Sequence, residues 1–348
     1  MDFDQLISRH AVRLSADGPH CDIVLFSRVR LARNINGYPF AGQMSDQDRR
    51  TLIGLIRRAA ESFFPLDTTV WLDLQKTGAT DRLCLVERRL ISDAFAEETS
   101  PRAMMIDGEE LFTIAALDED HLRVNAFASG LEFSAAWQRA SHIVSHFEEE
   151  FVFAFDQRRG YLTACPSNTG TGLRAAALLH LPGLIATGEY NHFSQSLQQM
   201  NFTVHGVGGK GMHSPGALFQ VCNQISLGPS EEEILASLEE MLPRVLQYER
   251  RARENLVKTR GDQLSQQVSA AMNHLETARR ITVDEALADL SILRLGYCLG
   301  LQKEVSVKRV NDLIFRIQPA HLQKIADHEL SEDEDETFRA GYLHHRLP

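Results

Sequence analysis

The stretch Asp22-Ile-Val-Leu-Phe-Ser-Arg-Val-Arg-Leu31 sets the fold class. From Cys21 onward the pattern is extended, so this segment is expected to be a strand. Alternation along a strand puts Arg28 and Arg30 on one face, about 6–7 Å apart. Two guanidiniums held on one face repel each other unless an anion sits between them. The alternative is an ordinary exposed strand face, and spacing alone leaves both readings open.

Working outward, residues 1–20 are expected to be a helix and a turn at Asp17, Gly18 and Pro19. Residues 46–64 have Leu52, Leu55, Ile56 and Ala59 at helical spacing. Strands are expected at 70–74 and 83–86, then a hairpin of 111–117 and 121–127 around the acidic turn Asp118-Glu119-Asp120. Residues 131–151 are expected to be a helix and 161–164 a short strand. A Gly-containing loop then leads into a helix over 173–181, closed by Pro182-Gly183. Strands follow at 202–207 and 217–226. At Ser230 the texture changes, because Ser230-Glu-Glu-Glu233 is a capping box that opens a long amphipathic helix to about Lys258. Residues 261–301 and 307–326 are expected to be helical, with no further strand, and the acidic run 332–336 to be a solvated face or loop.

Composition narrows the function. The chain has 348 residues and a mass of 39.1 kDa, room for one large domain or two ordinary ones. With 43% hydrophobic and 24% charged residues it is globular. Lys and Arg total 36 against 47 Asp and Glu, a net charge of −11, which argues against nucleic acid as a partner. No apolar run approaches the roughly 18–20 residues of a membrane helix. The acidic start lacks the basic flank and apolar block of a signal peptide. The five cysteines, Cys21, Cys84, Cys165, Cys222 and Cys298, include no C-x-x-C pair and fit reduced thiols of a cytoplasmic protein, not a disulfide framework or a zinc site. Of the 36 basic residues 30 are Arg. Base-composition bias accounts for that, and so does a need for planar, bidentate phosphate contacts.

Two further strings can carry chemistry. Asp118-Glu119-Asp120-His121-Leu122-Arg123 is either a solvated hairpin tip or a general base beside an anion-binding arginine. Cys165-Pro-Ser-Asn-Thr-Gly-Thr-Gly-Leu-Arg174 has a polar glycine loop whose amides could hold an anion at the start of the expected helix. It is not a phosphate-binding loop of the G-x-x-x-x-G-K-[ST] type, and neither is Gly206-Val-Gly-Gly-Lys-Gly211.

Together these strings resemble the catalytic domain of the ATP:guanido phosphotransferases, the phosphagen kinases, and within them the bacterial protein-arginine kinase branch. The resemblance is carried by Asp22 through Asn34, Glu119-Asp-His-Leu-Arg123, Arg159-Gly-Tyr-Leu-Thr-Ala-Cys-Pro-Ser-Asn-Thr-Gly-Thr-Gly-Leu-Arg174, His180-Leu-Pro182 and Phe219-Gln-Val-Cys-Asn-Gln-Ile-Ser-Leu-Gly228, in the family's order. It implies an α+β fold: an N-terminal helix in 1–21, an antiparallel sheet flanked by helices in 22–255, and a helical C-terminal domain in 256–348. The implied nucleotide-binding positions are Ser27, Arg28, Val29, Arg30, Arg89, Arg123, Arg174, Ala175, Ala176, Ala177, Leu178, Gly206 and Gly209. Among them Arg28, Arg30, Arg123 and Arg174 match phosphate-gripping arginines, and Arg89 stands where relatives often have a nucleotide-contacting His. Glu119 matches the catalytic carboxylate and Cys165 the active-site cysteine, while Asn168, Gly170 and Thr171 shape the loop. ATP is the implied phosphoryl donor, and Mg2+ arrives with it; no metal site of the chain's own is implied.

These residue types suit the chemistry. A guanidinium has a pKa above about 12, so to act as a nucleophile it must be oriented and lose a proton. A carboxylate at hydrogen-bond distance does both. A thiolate at Cys165 would favour the guanidinium's charge and orientation; otherwise Cys165 is a small buried hydrophobe.

The chain also departs from the family pattern. His205 stands where relatives have a phosphate-binding Arg, Lys210 where they have a substrate-holding Glu, and His213 at a third, often acidic, position. Asp335-Glu336-Thr-Phe-Arg339-Ala340 replaces an Arg-Asp-x-x-Arg-Ala motif for docked phosphoarginine, so that site is expected to be weakened or absent. Three functions follow: a protein-arginine kinase in stress response and protein quality control, a catalytically impaired regulatory relative, or a kinase of a free guanidino metabolite. The early start of the first arginine motif speaks against the last. The resemblance also implies protein substrates with exposed arginines, a zinc-binding adaptor, Clp-type protease machinery, a homodimer, a cytoplasmic location, and no membrane partner.

Overall fold

A computed structural model describes residues 1–207 and 214–347. In chain order, helix α1 (Phe3–Ser8) precedes the long strand β1 (Val24–Arg33), and helix α2 (Asp46–Phe63), strand β2 (Thr69–Asp73) and helices α3 (Ala79–Glu87) and α4 (Asp93–Glu97) follow. Strands β3 (Ala103–Asp107), β4 (Phe112–Ala116) and β5 (Leu122–Ser129) lead to helix α5 (Phe133–Glu150). Two short strands, β6 (Phe155–Asp156) and β7 (Gly160–Tyr161), come before strand β8 (Leu173–His180), helices α6 (Pro182–Ala186) and α7 (Tyr190–Gln199), and strands β9 (Phe202–Gly206) and β10 (Leu218–Asn223). Helices α8 (Glu231–Thr277), α9 (Val283–Cys298), α10 (Val307–Arg316), α11 (Pro319–Ala326) and α12 (Glu332–Arg346) complete the described chain.

The main sheet has eight strands in the order β2-β3-β4-β5-β1-β8-β10-β9, each pairing antiparallel. β1 therefore lies inside the sheet, with β5 on one side and β8 on the other. One face buries Val29, Leu31, Val124, Ala175 and Ala177 against Leu52 and Ile56 of α2, Ile143 and Phe147 of α5, and Leu238 and Leu242 of α8. The other face buries Leu25, Phe26, Phe127 and Leu178 in a second cluster with Leu14, Leu290 and Leu293 of α9, Ile314 of α10 and Leu343 of α12. Each of the Val, Leu, Ile and Phe side chains contributes about 1.5–3 kcal/mol on burial. The C-terminal helices thus share a core with the sheet.

Local signals explain most elements. Ser230 and Glu233 form the expected capping box, as do Thr282 with Glu285 and Ser331 with Glu334. The hairpin around Asp118-Glu119-Asp120 forms between β4 and β5. Two expectations of element type need correction. Residues 173–181 are not a helix: Leu-Arg-Ala-Ala-Ala-Leu-Leu-His is strand β8, bonded on both edges to β1 and β10. Strong helix formers yield here because two neighbouring strands need the backbone and both faces are buried. Residues 83–86 are not a strand but part of α3, which buries only Cys84 and Leu85; a four-residue apolar run does not distinguish the two. As expected, the helix opened at Ser230 ends just past Lys258, at a kink where Arg260 leaves helical geometry (φ −141, ψ 29), and a second helix follows it to Thr277. The acidic run 332–336 is a solvated face, as expected: it forms the largely exposed first turn of α12, where its charges meet the positive end of the helix. Strand β3 and helix α7 had no clear sequence signal. Among the described residues no helix is long and apolar enough to cross a membrane.

Candidate active site

The register of three strands assembles an arginine face. Arg30 lies opposite Arg174 on β8 and Asn125 on β5, Arg28 opposite Ala176 and Phe127, and Ala32 opposite Arg123. Directly opposed residues of antiparallel strands share a face, so Arg28, Arg30, Arg123 and Arg174 all project from the face away from α2 and α5. Ala176 and Leu178 share it. Ser27, Val29, Ala175 and Ala177 project the other way: Ser27 Oγ donates to the Gly130 carbonyl at 2.8 Å and accepts from Glu132 N–H at 3.0 Å, and the other three are core residues. His205 is exposed on the outermost strand, opposite Gln220, which in turn faces Leu178. It therefore lies on the arginine side, at the sheet edge, with Gly206 next to it. Gly209, Lys210 and His213 lie outside the described residues.

Apart from Arg123, the arginines of this face have no acidic partner in an ion pair among the described residues. Arg28, Arg89 and Arg174 make no ion pair or side-chain hydrogen bond among the described residues, and Arg30 donates only to Asn168 Oδ1, at 3.0 Å. The Nε atoms of Arg28, Arg30 and Arg123 are buried without a partner. Burial, then repulsion from Arg89, Arg123 and Arg174, lowers the Arg28 pKa to about 10, although Cys222 opposes the shift. Burial and repulsion from Arg123, Arg28 and Arg174 lower Arg30 as well. Unpaired, desolvated cations destabilise a fold unless something anionic completes them. Arginine forks match phosphate oxygens.

Arg89 joins this group by an unusual route. It follows α3 with φ +60, its N–H bonding to the Val86 carbonyl and that of Leu90 to the Leu85 carbonyl. This is the Schellman turn, in which glycine is the usual residue at that position. A non-glycine residue there costs about 1 kcal/mol or more, the kind of strain found where a side chain has a task.

The carboxylates sit beside the arginines. Arg123 is buried, pairing through Nη1 with Asp118 and through Nη2 with Glu119 Oε2 at 2.6 Å. Burial pushes the Asp118 pKa up against the pull of Arg123. Glu119 is exposed, so its carboxylate is both oriented by Arg123 and open to an incoming group. Asp120, missed at the level of sequence roles, ties the turn down: its Oδ1 accepts from Asn34 Nδ2 and from the Ala164 N–H, both at 2.7 Å. His121 accepts from Ile35 N–H at Nδ1 and donates from Nε2 to the Pro39 carbonyl, so it is a structural neutral ring whose pKa burial lowers. The signal for Asp120 and Asn34 was present, because both end the quoted strings, but only the folded chain brings them together.

Cys165 follows Ala164 and is therefore placed by the same clamp. Its Sγ lies 3.1 Å from Ser167 Oγ. Ser226 Oγ donates to the carbonyls of Ser167 and Thr169 at 2.8 and 3.0 Å, fastening the loop to the end of β10. Gly170 takes φ +113, and a Cβ there would lie 2.1 Å from the Ser226 carbonyl oxygen, so only glycine fits. Because the loop enters β8 and not a helix, no helix N-terminus is available for an anion here; arginine side chains take that role. Arg33, in contrast, is structural: its guanidinium lies over Tyr161 at 3.5 Å and bonds to the carbonyls of Ala32 and Thr171.

Comparison with known proteins gives the family. The family described as ATP:guanido phosphotransferase, C-terminal catalytic domain, matches residues 54–252, and that described as protein-arginine kinase McsB C-terminal domain matches residues 261–348. A protein-arginine kinase of Symbiobacterium thermophilum is 39% identical over 100% of this chain and 99% of its own length. One from Geobacillus stearothermophilus is 37% identical over 96% of this chain and 93% of its own. Among solved structures, the duplicated taurocyamine kinase of Schistosoma mansoni with bound transition state analog components aligns with TM-score 0.61 at 22% identity, covering 80% of this chain and 41% of that one. Lombricine kinase aligns with TM-score 0.57 at 23% identity, covering 66% of each chain. At those identities the structures bear on the fold alone. The chain belongs to the ATP:guanido phosphotransferase family.

Proposed function

We propose that this protein transfers the γ-phosphoryl group of Mg-ATP to arginine side chains of proteins. The observation that carries the proposal is the set of partly buried, unpaired guanidiniums of Arg28, Arg30 and Arg174 on one sheet face, with Glu119 beside them. Those donors fit a polyphosphate, and Mg2+ comes with the nucleotide, supplying charge neutralisation. A substrate guanidinium gives a proton to Glu119, and its nitrogen attacks the γ-phosphorus. The N–P bond forms, the bond from phosphorus to the bridging oxygen breaks, and ADP leaves with that electron pair. Arg28, Arg30, Arg123 and Arg174 hold the phosphates and the equatorial charge of the transition state. Arg89, Gly206, Ala176 and Leu178 border the nucleotide, and Cys165 borders the acceptor guanidinium.

The protein-arginine kinases aligned over the full chain support protein arginine, and not a free metabolite, as acceptor. Residues 22–255 would be the catalytic unit and 256–348 the helical one, after an N-terminal helix in 1–21; the family matches over 54–252 and 261–348 support a division near 255. A cytoplasmic location, a homodimer, a zinc-binding adaptor, Clp-type protease machinery and a role in stress response rest on the resemblance. No phosphoarginine docking is assigned to residues 335–340, because Arg339 is buried and its nitrogens bond to the Ile317 and Ile281 carbonyls and to Asp335.

A second reading, a catalytically impaired regulator, is favoured by His205, which cannot copy an arginine fork at the sheet edge. One experiment separates the readings. The protein is incubated with Mg-ATP and an arginine-rich unstructured protein, with free arginine in a parallel arm, and acid-labile phosphoarginine is followed by phosphorus NMR. Protein phosphoarginine that disappears in Glu119→Gln is the expected result. No product with ATP binding intact supports the regulator, and rapid turnover of free arginine alone overturns the acceptor assignment.

A further inference from the structure

Glu87, the last residue of α3, caps a helix of the C-terminal region. Its Oε1 accepts from the Ala320 N–H at 2.7 Å; its Oε2 accepts from the His321 N–H at 3.0 Å and lies 2.7 Å from His321 Nδ1. These are first-turn amides of α11, whose own N-cap residue, Gln318, provides no side-chain cap. Free amides at a helix start need an acceptor, and the helix dipole favours a carboxylate there. Glu87 supplies it from 233 positions earlier in the chain. Burial lowers the His321 pKa despite Glu87, so the ring is neutral and Nδ1–H donates to the carboxylate. Lys324 of α11 adds ion pairs to Asp81 of α3 and to Asp4, both at 2.9 Å.

The next two residues are committed as well. Arg88 is buried, pairs with Glu110, donates to the Ile7 carbonyl at 3.3 Å and, through its own carbonyl, accepts from Arg13. Arg89 then takes the left-handed turn that closes α3 (φ +60), directly after the residues held by α11 and Glu110, and its charge adds to the repulsion felt by Arg28. Three consecutive residues thus grip α11, fill a buried ion pair and add to the charge felt at the anion site. Cys84 lies within 4.8 Å of the ligand atoms of Glu87 and His321. Both Glu87 oxygens are engaged by α11 and the cations Arg88 and Lys324 stand nearby, so the trio is a hydrogen-bonded clasp and not a cation site.

We propose that Glu87 is a positioning residue for nucleotide binding: by clasping α11 it holds the α3 turn that presents Arg89, so the C-terminal helices set the affinity for ATP. This rests on Arg89 being a nucleotide contact. The test is Mg-ATP binding by calorimetry to the full-length protein and to Glu87→Ala, Glu87→Gln, Arg89→Ala, Arg28→Ala and the Glu87→Ala/Arg89→Ala double variant. Circular dichroism checks the fold of each. Glu87→Ala is expected to weaken Mg-ATP about fivefold or more, Glu87→Gln, which keeps one acceptor oxygen, by less, and the double variant no further than Arg89→Ala alone. In turnover, KM for ATP should rise while KM for the protein substrate holds. If Glu87→Ala does not fold, Glu87→Gln carries the same comparison. Unchanged affinity in the Glu87 variants, or additive losses in the double variant, overturns the proposal. If Arg28→Ala weakens binding and the Glu87 variants do not, only the clasp fails; if neither Arg28→Ala nor Arg89→Ala matters, the nucleotide assignment of the whole face fails with it.

Discussion

Arg28 illustrates how function is written against stability at a single residue. It makes no ion pair or side-chain hydrogen bond among the described residues, its Nε is buried, and three other arginines repel it. Arg102, by contrast, is fully engaged with backbone carbonyls, and Arg88 with Glu110 and the Ile7 carbonyl. Arginine identity alone does not separate these groups; hydrogen-bond satisfaction does. Arg28→Ala should therefore lower kcat/KM for Mg-ATP by about 100-fold or more, the loss of a charge-stabilising donor. The same variant should melt no lower than the parent, because a repelled cation has been removed. A lower melting temperature with unchanged kcat/KM would show that Arg28 is a structural residue instead.

Elements acquire their form from what surrounds them. Leu173–His180 contains three alanines and three leucines in eight residues, yet it is a strand because β1 and β10 flank it. Its small Ala175 and Ala177 let helices pack closely on one face, and Ala176 leaves room beside Arg28 on the other. At the junction of α1, α3 and the β3–β4 turn, Glu110 sits between Arg13 and Arg88 with all three side chains buried. Burial pushes the Glu110 pKa up, but the charges and hydrogen bonds of Arg88 and Arg13 outweigh it and leave it below the ordinary glutamate value. The sign follows: this stabilisation is complete above the unfolded pKa of about 4.3 and is lost as pH falls through the folded one. Glu110→Gln, which strands two buried cations, should cost about 3–5 kcal/mol near neutral pH by urea denaturation. The gap from the parent should narrow in acid. A gap that stays constant down to the acid limit would mean the carboxylate charge is not what matters.

At the scale of the molecule, the second hydrophobic cluster decides cooperativity. It joins Leu25, Phe26, Phe127 and Leu178 of the sheet to Leu290, Leu293, Ile314 and Leu343 of the C-terminal helices. Along α8 the border between the two family matches falls at the kink at Arg260, where one helix gives way to the next. Sequence families divide the chain there, but the packing does not. Calorimetry should show one unfolding transition for the whole chain, with equal calorimetric and van't Hoff enthalpies. Two resolved transitions would refute the shared core. The same continuity is what would let α11 and Glu87 reach the nucleotide face.

The sequence by itself determined what short-range chemistry controls. The alternation that places Arg28 and Arg30 together, the turn at Asp118-Glu119-Asp120, and the cap at Ser230 depend on neighbours within a few residues, and the quoted strings were enough to place the chain in its family. Tertiary structure decided the rest. Whether 173–180 is helix or strand depends on two strands far away in sequence. Whether 83–86 is helix or strand depends on which face the core buries. Arg123 and Arg174 join Arg30 only through strand register, Asp120 meets Asn34 and Ala164 only in the folded chain, and Glu87 finds α11 across 233 residues. The physical reason is the same in each case. Local propensities differ by tenths of a kilocalorie, about 0–1 kcal/mol per residue. Burial and hydrogen-bond satisfaction are worth more, and they are assigned by partners the local sequence does not contain.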